Sequence, residues 1–534
     1  MKRSKLLYGF LFFLSVAFLI NIGTLVLIHE EPRRGIITFE MLKSHNFLQP
    51  TVLGEPYYRK PPFHNWLLAL FSLLFGGVKE LSLRLPSAVA VLLTGLLIFL
   101  TGRRLTGERE ALAGALIYTT FFVVLIGYGT KCEPDTLFGL LAGGAPLVWF
   151  YLMREKRELP AWIAGYLMTG LALLTKGLPA LQFFWAFLIS YGLVTGRWKE
   201  LLSLKHLSGA LTGLSPFFLW LLEVRSTVAA KTLMSEVLSR APGEIPLLKT
   251  LKNYLTFPLR LIAATIPWSL ILIYYGVKKK IKLPRGEAER VLLGAFILDA
   301  LIYWLFPGSR LRYLIPALPL LALLSGKLLY SQVIIHKRAK EIIRFTSQLA
   351  VPVGIVAGIL ATANPSLILK ETVIFIGFLY GVYFFLAPRF EITRVVFLWA
   401  LLMLVVRGFY SSYFYPVAQY RYPPVREVAE QIARDTEGFN LYTKTRYLQL
   451  CFYVERDRDR ILRFNPHPPA DSLFLSQKRE GFTLKEYSLG KHRFYLCSYG
   501  IKSLPGRRQS QEEPGRQKPG KQSHSKEKGE SPQG

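Results

Sequence analysis

The sequence predicts a polytopic, all-α membrane protein with about 13 transmembrane helices. Juxtamembrane helices on the outer face and a small C-terminal α/β extracytoplasmic domain complete the expected fold. Three observations lead there. Of 534 residues, 51% are apolar and 14% aromatic, and the mean hydropathy is +0.31, more than a soluble domain carries. Uncharged apolar runs long enough to cross a bilayer recur along most of the chain. The short loops between alternate runs collect Lys and Arg, the pattern of the positive-inside rule.

The first run, Leu6 to Ile28, holds no charge and follows Lys2, Arg3 and Lys5. It is too long for a signal-peptide core and lacks a small-x-small cleavage site, so an uncleaved anchor is expected. Further spans are expected at 82–101, 110–127, 136–153, 160–175, 178–196, 206–225, 258–277, 289–306, 313–332, 345–363, 368–387 and 393–411. Arg103/Arg104/Arg109, Arg154/Lys156/Arg157, Arg197/Lys199/Lys205, Lys278/Lys279/Lys280/Lys282 and Lys337/Arg338/Lys340 then fall on one side, with Arg389 and Arg394 as a weaker set. That side is cytoplasmic. The formal charge of +31 is thus spread through topology-setting loops, which argues against a nucleic-acid partner.

An odd number of crossings puts the loop 29–81 and the C-terminus outside. A connection that long is usually functional. It contains two amphipathic stretches, around Ile36 to Leu42 and His64 to Phe75, expected as short helices lying in the interface. A second outer loop, 226–257, mixes Lys231, Glu236, Arg240 and Glu244 around Ala241-Pro242-Gly243 and is expected to close over a substrate. The transmembrane unit is expected to end near 414. Beyond it, β-leaning runs at Phe439 to Tyr442, Leu448 to Val454 and Phe494 to Tyr499 predict a small domain over 415–505. Residues 506–534 are Gln/Lys/Gly/Ser/Pro-rich without apolar residues, hence expected to be disordered. Cys132 reads as a small apolar filler, whereas Cys451 and Cys497 share the exported segment and are candidates to pair. No internal repeat is visible.

The outer loops carry more charge than topology explains. Glu30, Glu31, Arg33 and Arg34 follow the first span directly, and Arg59 and Lys60 precede Pro61-Pro62. Glu133 and Asp135 lie in Lys131-Cys132-Glu133-Pro134-Asp135, Lys176 breaks an apolar stretch before Gly177, and Arg310 and Arg312 precede Tyr313. Charges next to hydrocarbon are costly unless paired or used. Lys60, Lys176, Arg310 and Arg312 are cations on the face where the positive-inside rule makes them rare, and an anionic ligand is the simplest reason. A phosphate-linked lipid donor would need such cations as its phosphate departs, a carboxylate to take the acceptor's proton, and an apolar groove for its tail.

These motifs resemble a known family. Glu30 through Arg33, Leu53-Gly54-Glu55-Pro56-Tyr57-Tyr58-Arg59-Lys60-Pro61-Pro62 and Ser82-Leu83-Arg84-Leu85-Pro86-Ser87 are similar to the start of the aminoarabinose (lipid A) transferase and protein O-mannosyltransferase group. These are polyprenyl-phosphate-sugar-dependent glycosyltransferases of the GT-C fold. The resemblance runs on through Leu174-Thr175-Lys176-Gly177, Pro267-Trp268 and Pro307-Gly308-Ser309-Arg310 to Arg312-Tyr313-Leu314-Ile315-Pro316. It covers residues 1–330 in order.

The resemblance implies a multi-pass inner-membrane glycosyltransferase with an extracytoplasmic active site. It would move a sugar from polyprenyl (undecaprenyl) phosphate, with inversion, to lipid A or a related glycolipid. A protein acceptor, as in the O-mannosyltransferases, is the alternative within the group. Glu30 stands where the family has a catalytic Asp, with Glu31 second and Glu133 and Asp135 as the acids of the second outer loop. Arg33 occupies the place of a phosphate-contacting Arg, and Arg34 replaces a Tyr. Lys60 matches the Lys of a Glu-Lys-Pro motif in which Arg59 replaces the Glu. That Glu lies near a bound metal in relatives, so its loss argues against a divalent metal here, and the sequence requires no cofactor. Arg310, Arg312 and Tyr313 correspond to the phosphate-side wall, and Lys176 to the Lys of a Lys-Gly motif that also faces the outer cavity, as a further phosphate-binding candidate. A transporter or flippase of polyprenyl lipids is the rival class; Asp299 is its best mid-helix acid, but inverted repeats, the usual mark of such folds, are not seen.

Overall fold

The structure is a computed structural model and describes residues 14, 17–224, 231–232, 234–235, 246–277, 284–306, 310–330, 406–408, 410 and 424–504. The expected spans 345–363 and 368–387, most of 393–411, the tail 506–534 and the basic clusters at Lys2–Lys5, Lys278–Lys282 and Lys337–Lys340 lie outside these residues. So do most of the loop charges expected at 226–257.

Two helices lie within the first long loop: α1 (Glu31–Ser44) and α2 (Phe63–Leu74), separated by a two-residue ribbon of β1 (Thr51–Val52) and β2 (Glu55–Pro56). Pro32 stands in the first turn of α1, where its missing N–H costs nothing. The membrane body follows as α3 (Glu80–Leu105), α4 (Glu108–Thr120), a π-helical turn (Val123–Tyr128), α5 (Asp135–Arg154), α6 (Glu158–Lys176), α7 (Pro179–Thr195) and α8 (Leu204–Val224). Then come α9 (Leu247–Ala264), α10 (Trp268–Val277), α11 (Glu287–Leu305), a 3-10 segment (Leu311–Ala317) and α12 (Leu318–Leu328). Among the described residues, four helices are long and apolar enough to cross a membrane, or five if the bent pair Thr250–Ala264 and Trp268–Val277 forms one span. Small residues bring these helices together. A Cβ on Gly170 would collide with the Gly213 carbonyl, and one on Gly114 with the backbone of Ala322 and Leu323, the close packing typical of helices in lipid.

Three expectations need correction. The first span was drawn to Ile28, but the chain is helical only through Leu19 and then turns. The released carbonyls of Ile22, Leu25 and Val26 are taken up by Arg84. The span drawn over 258–277 is broken, with its two helices meeting at 109°. Leu448 to Val454, expected as a strand for its aromatic and branched residues, is helical. Every residue from Leu450 to Glu455 is buried, so packing on all sides overrides that local preference.

The C-terminal unit comprises α13 (Val425–Asp435), β3 (Leu441–Thr443), α14 (Leu448–Arg458), β4 (Arg463–Phe464), β5 (Leu473–Ser476), β6 (Phe482–Leu489) and β7 (His492–Ser498). Its sheet runs in the order β4-β3-β5-β7-β6, parallel about β3 and antiparallel from β5 onward. Cys451 on α14 and Cys497 on β7 are separate buried thiols rather than a disulfide. Helix α14 packs directly on α1, and one apolar cluster joins Ile36 and Phe39 to Val425, Phe452 and Tyr453. At the contact Gly35 is required, because a Cβ there would lie 2.5 Å from the Phe452 ring.

Candidate active site

The turn that carries Glu30 is fixed by Arg84, which enters from the second turn of α3. All five of its N–H groups are used. Nε and Nη2 grip the two oxygens of Glu31 at 2.8 and 2.7 Å, and the rest reach the carbonyls of Ile22, Leu25 and Val26 at 2.7–3.0 Å. Glu31 also accepts from the backbone N–H of Ile28 and Cys132. Burial opposes its charge, but Arg84 and these donors outweigh it and hold its carboxyl below the usual range. With four bonds accepted and 1% exposure, Glu31 is an anchor, not the candidate base its position suggested.

One residue earlier, Glu30 keeps a different environment. It pairs with Arg33 one turn along α1, and both side chains are part exposed. Arg34 points the other way, is buried, and donates to the Tyr57 hydroxyl at 3.3 Å. Asn65 of α2 bonds the Arg34 carbonyl and the Thr38 hydroxyl at 3.1 Å each, which locks α2 against α1.

The second cluster gathers at the ends of three helical segments. Lys176, the last residue of α6 before Gly177 leaves the helix at φ 88°, donates to Asp135 at 2.6 Å. Arg312 pairs with Glu133 and lies 4.0 Å from Asp135. Tyr313 is shared: Lys176 and Arg312 sit 5.1 and 5.7 Å from its ring centre, close enough for cation–π attraction. Glu133 is pushed up to about 7, first by burial and then by Asp135, with Arg312 and Lys131 acting against the rise. A carboxyl poised there can exchange a proton near neutrality.

His64 lies in the first turn of α2. It is 2% exposed, and neither ring nitrogen has a hydrogen-bond partner among the described residues. Burial pushes it down to about 3, helped by the Arg34 charge and opposed by that of Asp135. Lys60 acts on Asp135 as well. The first-loop turn and the helical cluster adjoin where the Cys132 N–H, next to Glu133, donates to Glu31 at 2.9 Å. Arg310 is exposed at the start of the 3-10 segment, and Pro307 to Ser309 lie outside the described residues. Arg33 and Arg59 line an open pocket of about 400 Å³ with Tyr57 and Tyr58. Asp299, the acid a transporter would use, is buried in α11 beside Gln182 at 3.3 Å.

Arg84 and His64 were not marked as site residues from the sequence. Arg84 could have been found, since it is a further cation at the outer end of a span. His64 gave no signal of its own within an apolar helix. Among the described residues, no group of three or more His, Cys, Asp or Glu is arranged to hold a metal ion.

Residues 59–222 match the sequence family described as dolichyl-phosphate-mannose-protein mannosyltransferase. An undecaprenyl phosphate-alpha-4-amino-4-deoxy-L-arabinose arabinosyl transferase of Pseudomonas aeruginosa is 31% identical over 308 residues, covering 56% of this chain and 55% of that protein. Another of the same description, from Pseudomonas fluorescens, is 28% identical over 311 residues, covering 57% and 55%. The chain spans just over half the length of these curated relatives. The crystal structure of ArnT from Cupriavidus metallidurans bound to undecaprenyl phosphate superimposes with a TM-score of 0.72 at 19% identity, covering 92% of this chain and 97% of that one. Its apo form gives 0.71 over 93% and 98%. This likeness shows the fold, a largely helical GT-C architecture.

Proposed function

We propose, for a chain with this resemblance to the aminoarabinose transferase and protein O-mannosyltransferase group, that it moves a sugar from polyprenyl (undecaprenyl) phosphate to an acceptor at the outer face of the inner membrane. The observation that carries the reading is the bond from the Cys132 N–H to Glu31 at 2.9 Å. It ties the turn that carries Glu30 to the loop of Glu133 and Asp135, whose carboxylates pair with Arg312 and Lys176. The names of the curated relatives support a lipid-linked aminosugar as donor, and lipid A or a related glycolipid is the acceptor in this reading.

In this reading Glu30 takes the acceptor's proton, and Arg33, paired with it, orients that carboxylate and contacts the phosphate. The acceptor oxygen attacks the anomeric carbon as the bond to the carrier phosphate breaks, which inverts the centre. Lys60, Lys176, Arg312 and Arg310 receive the charge that builds on the departing phosphate, and Tyr313 keeps Lys176 and Arg312 on one surface. Glu133, near neutrality, is the reserve proton acceptor. The layout that goes with this is a transmembrane catalytic unit over 1–414 with about 13 crossings. The unit at 415–505 lies on the extracytoplasmic side and is followed by the tail 506–534.

Replacing Glu30 by Gln tests the assignment. Transfer from undecaprenyl-phosphate-linked sugar in proteoliposomes should vanish, while carrier binding and membrane insertion stay near wild type. Wild-type turnover in that variant would remove Glu30 from the chemistry. Mass spectrometry of outer-surface glycolipids, with and without the protein, reads the acceptor directly.

A further inference from the structure

Arg446 belongs to the C-terminal unit, in the turn between β3 and α14, almost 400 residues from the first-loop charges. It lines the same 400 Å³ pocket as Arg33, Arg59, Tyr57 and Tyr58, with Glu55 of β2 and Thr232 on the rim. Three separate stretches of chain thus converge on three guanidinium groups.

The details suit an oxyanion. Arg446 lies 4.3 Å over the Phe464 ring, which fixes the plane of its fork. It donates to Glu55 at 2.8 Å, but both side chains are exposed, 63% and 47%, and exposed pairs hold their partners weakly. A phosphate offering two oxygens can displace Glu55 from the fork. The Tyr57 hydroxyl accepts from Arg34 and the Tyr58 hydroxyl from Gln49, so each keeps its own O–H to donate.

We propose that Arg446 is a phosphate-binding residue, clamping a lipid-borne phosphate together with Arg33 and Arg59. This rests on the transferase reading above. The phosphate comes from the polyprenyl carrier or from a phosphorylated glycolipid acceptor, and binding separates the two.

The full-length chain in nanodiscs is titrated with undecaprenyl phosphate and, separately, with a phosphorylated lipid A-type glycolipid, with bound lipid counted by native mass spectrometry. Arg446→Gln should weaken one of them about tenfold, and Glu55→Gln should tighten the same one. Loss on the carrier assigns the pocket to the donor; loss on the glycolipid assigns it to the acceptor. Opposite signs for the two variants separate ligand contact from a merely structural role, which would weaken both. Unchanged binding of both lipids in Arg446→Gln overturns the proposal. Wild-type protein that binds either lipid through Arg446 yet transfers no sugar would defeat the transferase reading and leave the pocket standing.

Discussion

The turn around Glu30 and the cluster around Asp135 meet where Cys132 bonds Glu31, yet they are held in place by different means. The Asp135 cluster is built at the ends of α5, α6 and the 3-10 segment, so the membrane body itself sets its geometry. The Glu30 turn sits on a short helix outside that body and depends on remote parts of the chain. Arg84 secures it from below. From above, the Leu27 N–H donates to the Tyr453 hydroxyl at 2.9 Å, Gln449 donates to the Leu27 carbonyl at 2.7 Å, and the Phe464 N–H donates to the Leu53 carbonyl at 2.8 Å. Arg426 and Tyr453 also converge on Glu80, at 2.6 and 2.9 Å. The comparison teaches that one half of the site is rigid by position and the other by docking.

The sharpest way to break the contrast is at Arg84. Arg84→Met strands the buried Glu31 carboxylate and three carbonyls, and should cost about 3–5 kcal/mol. The double variant with Glu31→Leu should recover much of the loss. Thermal unfolding in detergent measures both, and a stable Arg84→Met single variant would contradict the anchoring role. A smaller effect is expected at Lys176. Asp135 keeps Arg312 at 4.0 Å, so Lys176→Met should cost only about 1–3 kcal/mol while weakening carrier binding clearly. Equal stability losses at the two sites would erase the distinction.

The docked half also carries a pH dependence of its own, separate from the one Glu133 gives the helical half. Glu40 of α1 and Glu455 of α14 are both fully buried and face one another. Their neighbours are the Thr51 hydroxyl and the N–H groups of Gly54 and Leu462. Burial pushes both carboxyls up, and the Glu40 charge pushes Glu455 further. A raised acid contributes fully below the ordinary carboxylate range and loses that contribution as pH rises through its folded value. Docking should therefore loosen toward alkaline pH, by up to about 1.4 kcal/mol per pH unit for each group that ionises. Hydrogen exchange across 31–44 and 448–458 would show it, and Glu455→Gln should flatten the profile. A profile unchanged by that substitution would exclude this pair as its source.

Much of the helical half was legible in the sequence, because its signals are local. Lys176 before Gly177, the acids around Pro134 and the Arg312-Tyr313 pair each mark the end of an apolar run, and the ends of neighbouring runs meet. The docked half was less legible. Glu30 and Glu31 look equivalent in sequence, and only the position of Arg84, more than fifty residues on, makes one an anchor and leaves the other accessible. Arg446 and the helix at Leu448–Arg458 carry no local mark of their partners on α1. Their meaning comes from contacts across some four hundred residues, which composition and periodicity do not encode.

Gly35 against Phe452 has a consequence for biogenesis. The helix that follows Glu30 and bears Arg33 leaves the ribosome some four hundred residues before the ring that covers it. Until then that helix lacks the partner on which Ile36 and Phe39 pack, so a nascent chain stopped before 448 carries the acid and the arginine without the surface that orients them. Maturation of this turn is thereby tied to synthesis of α14.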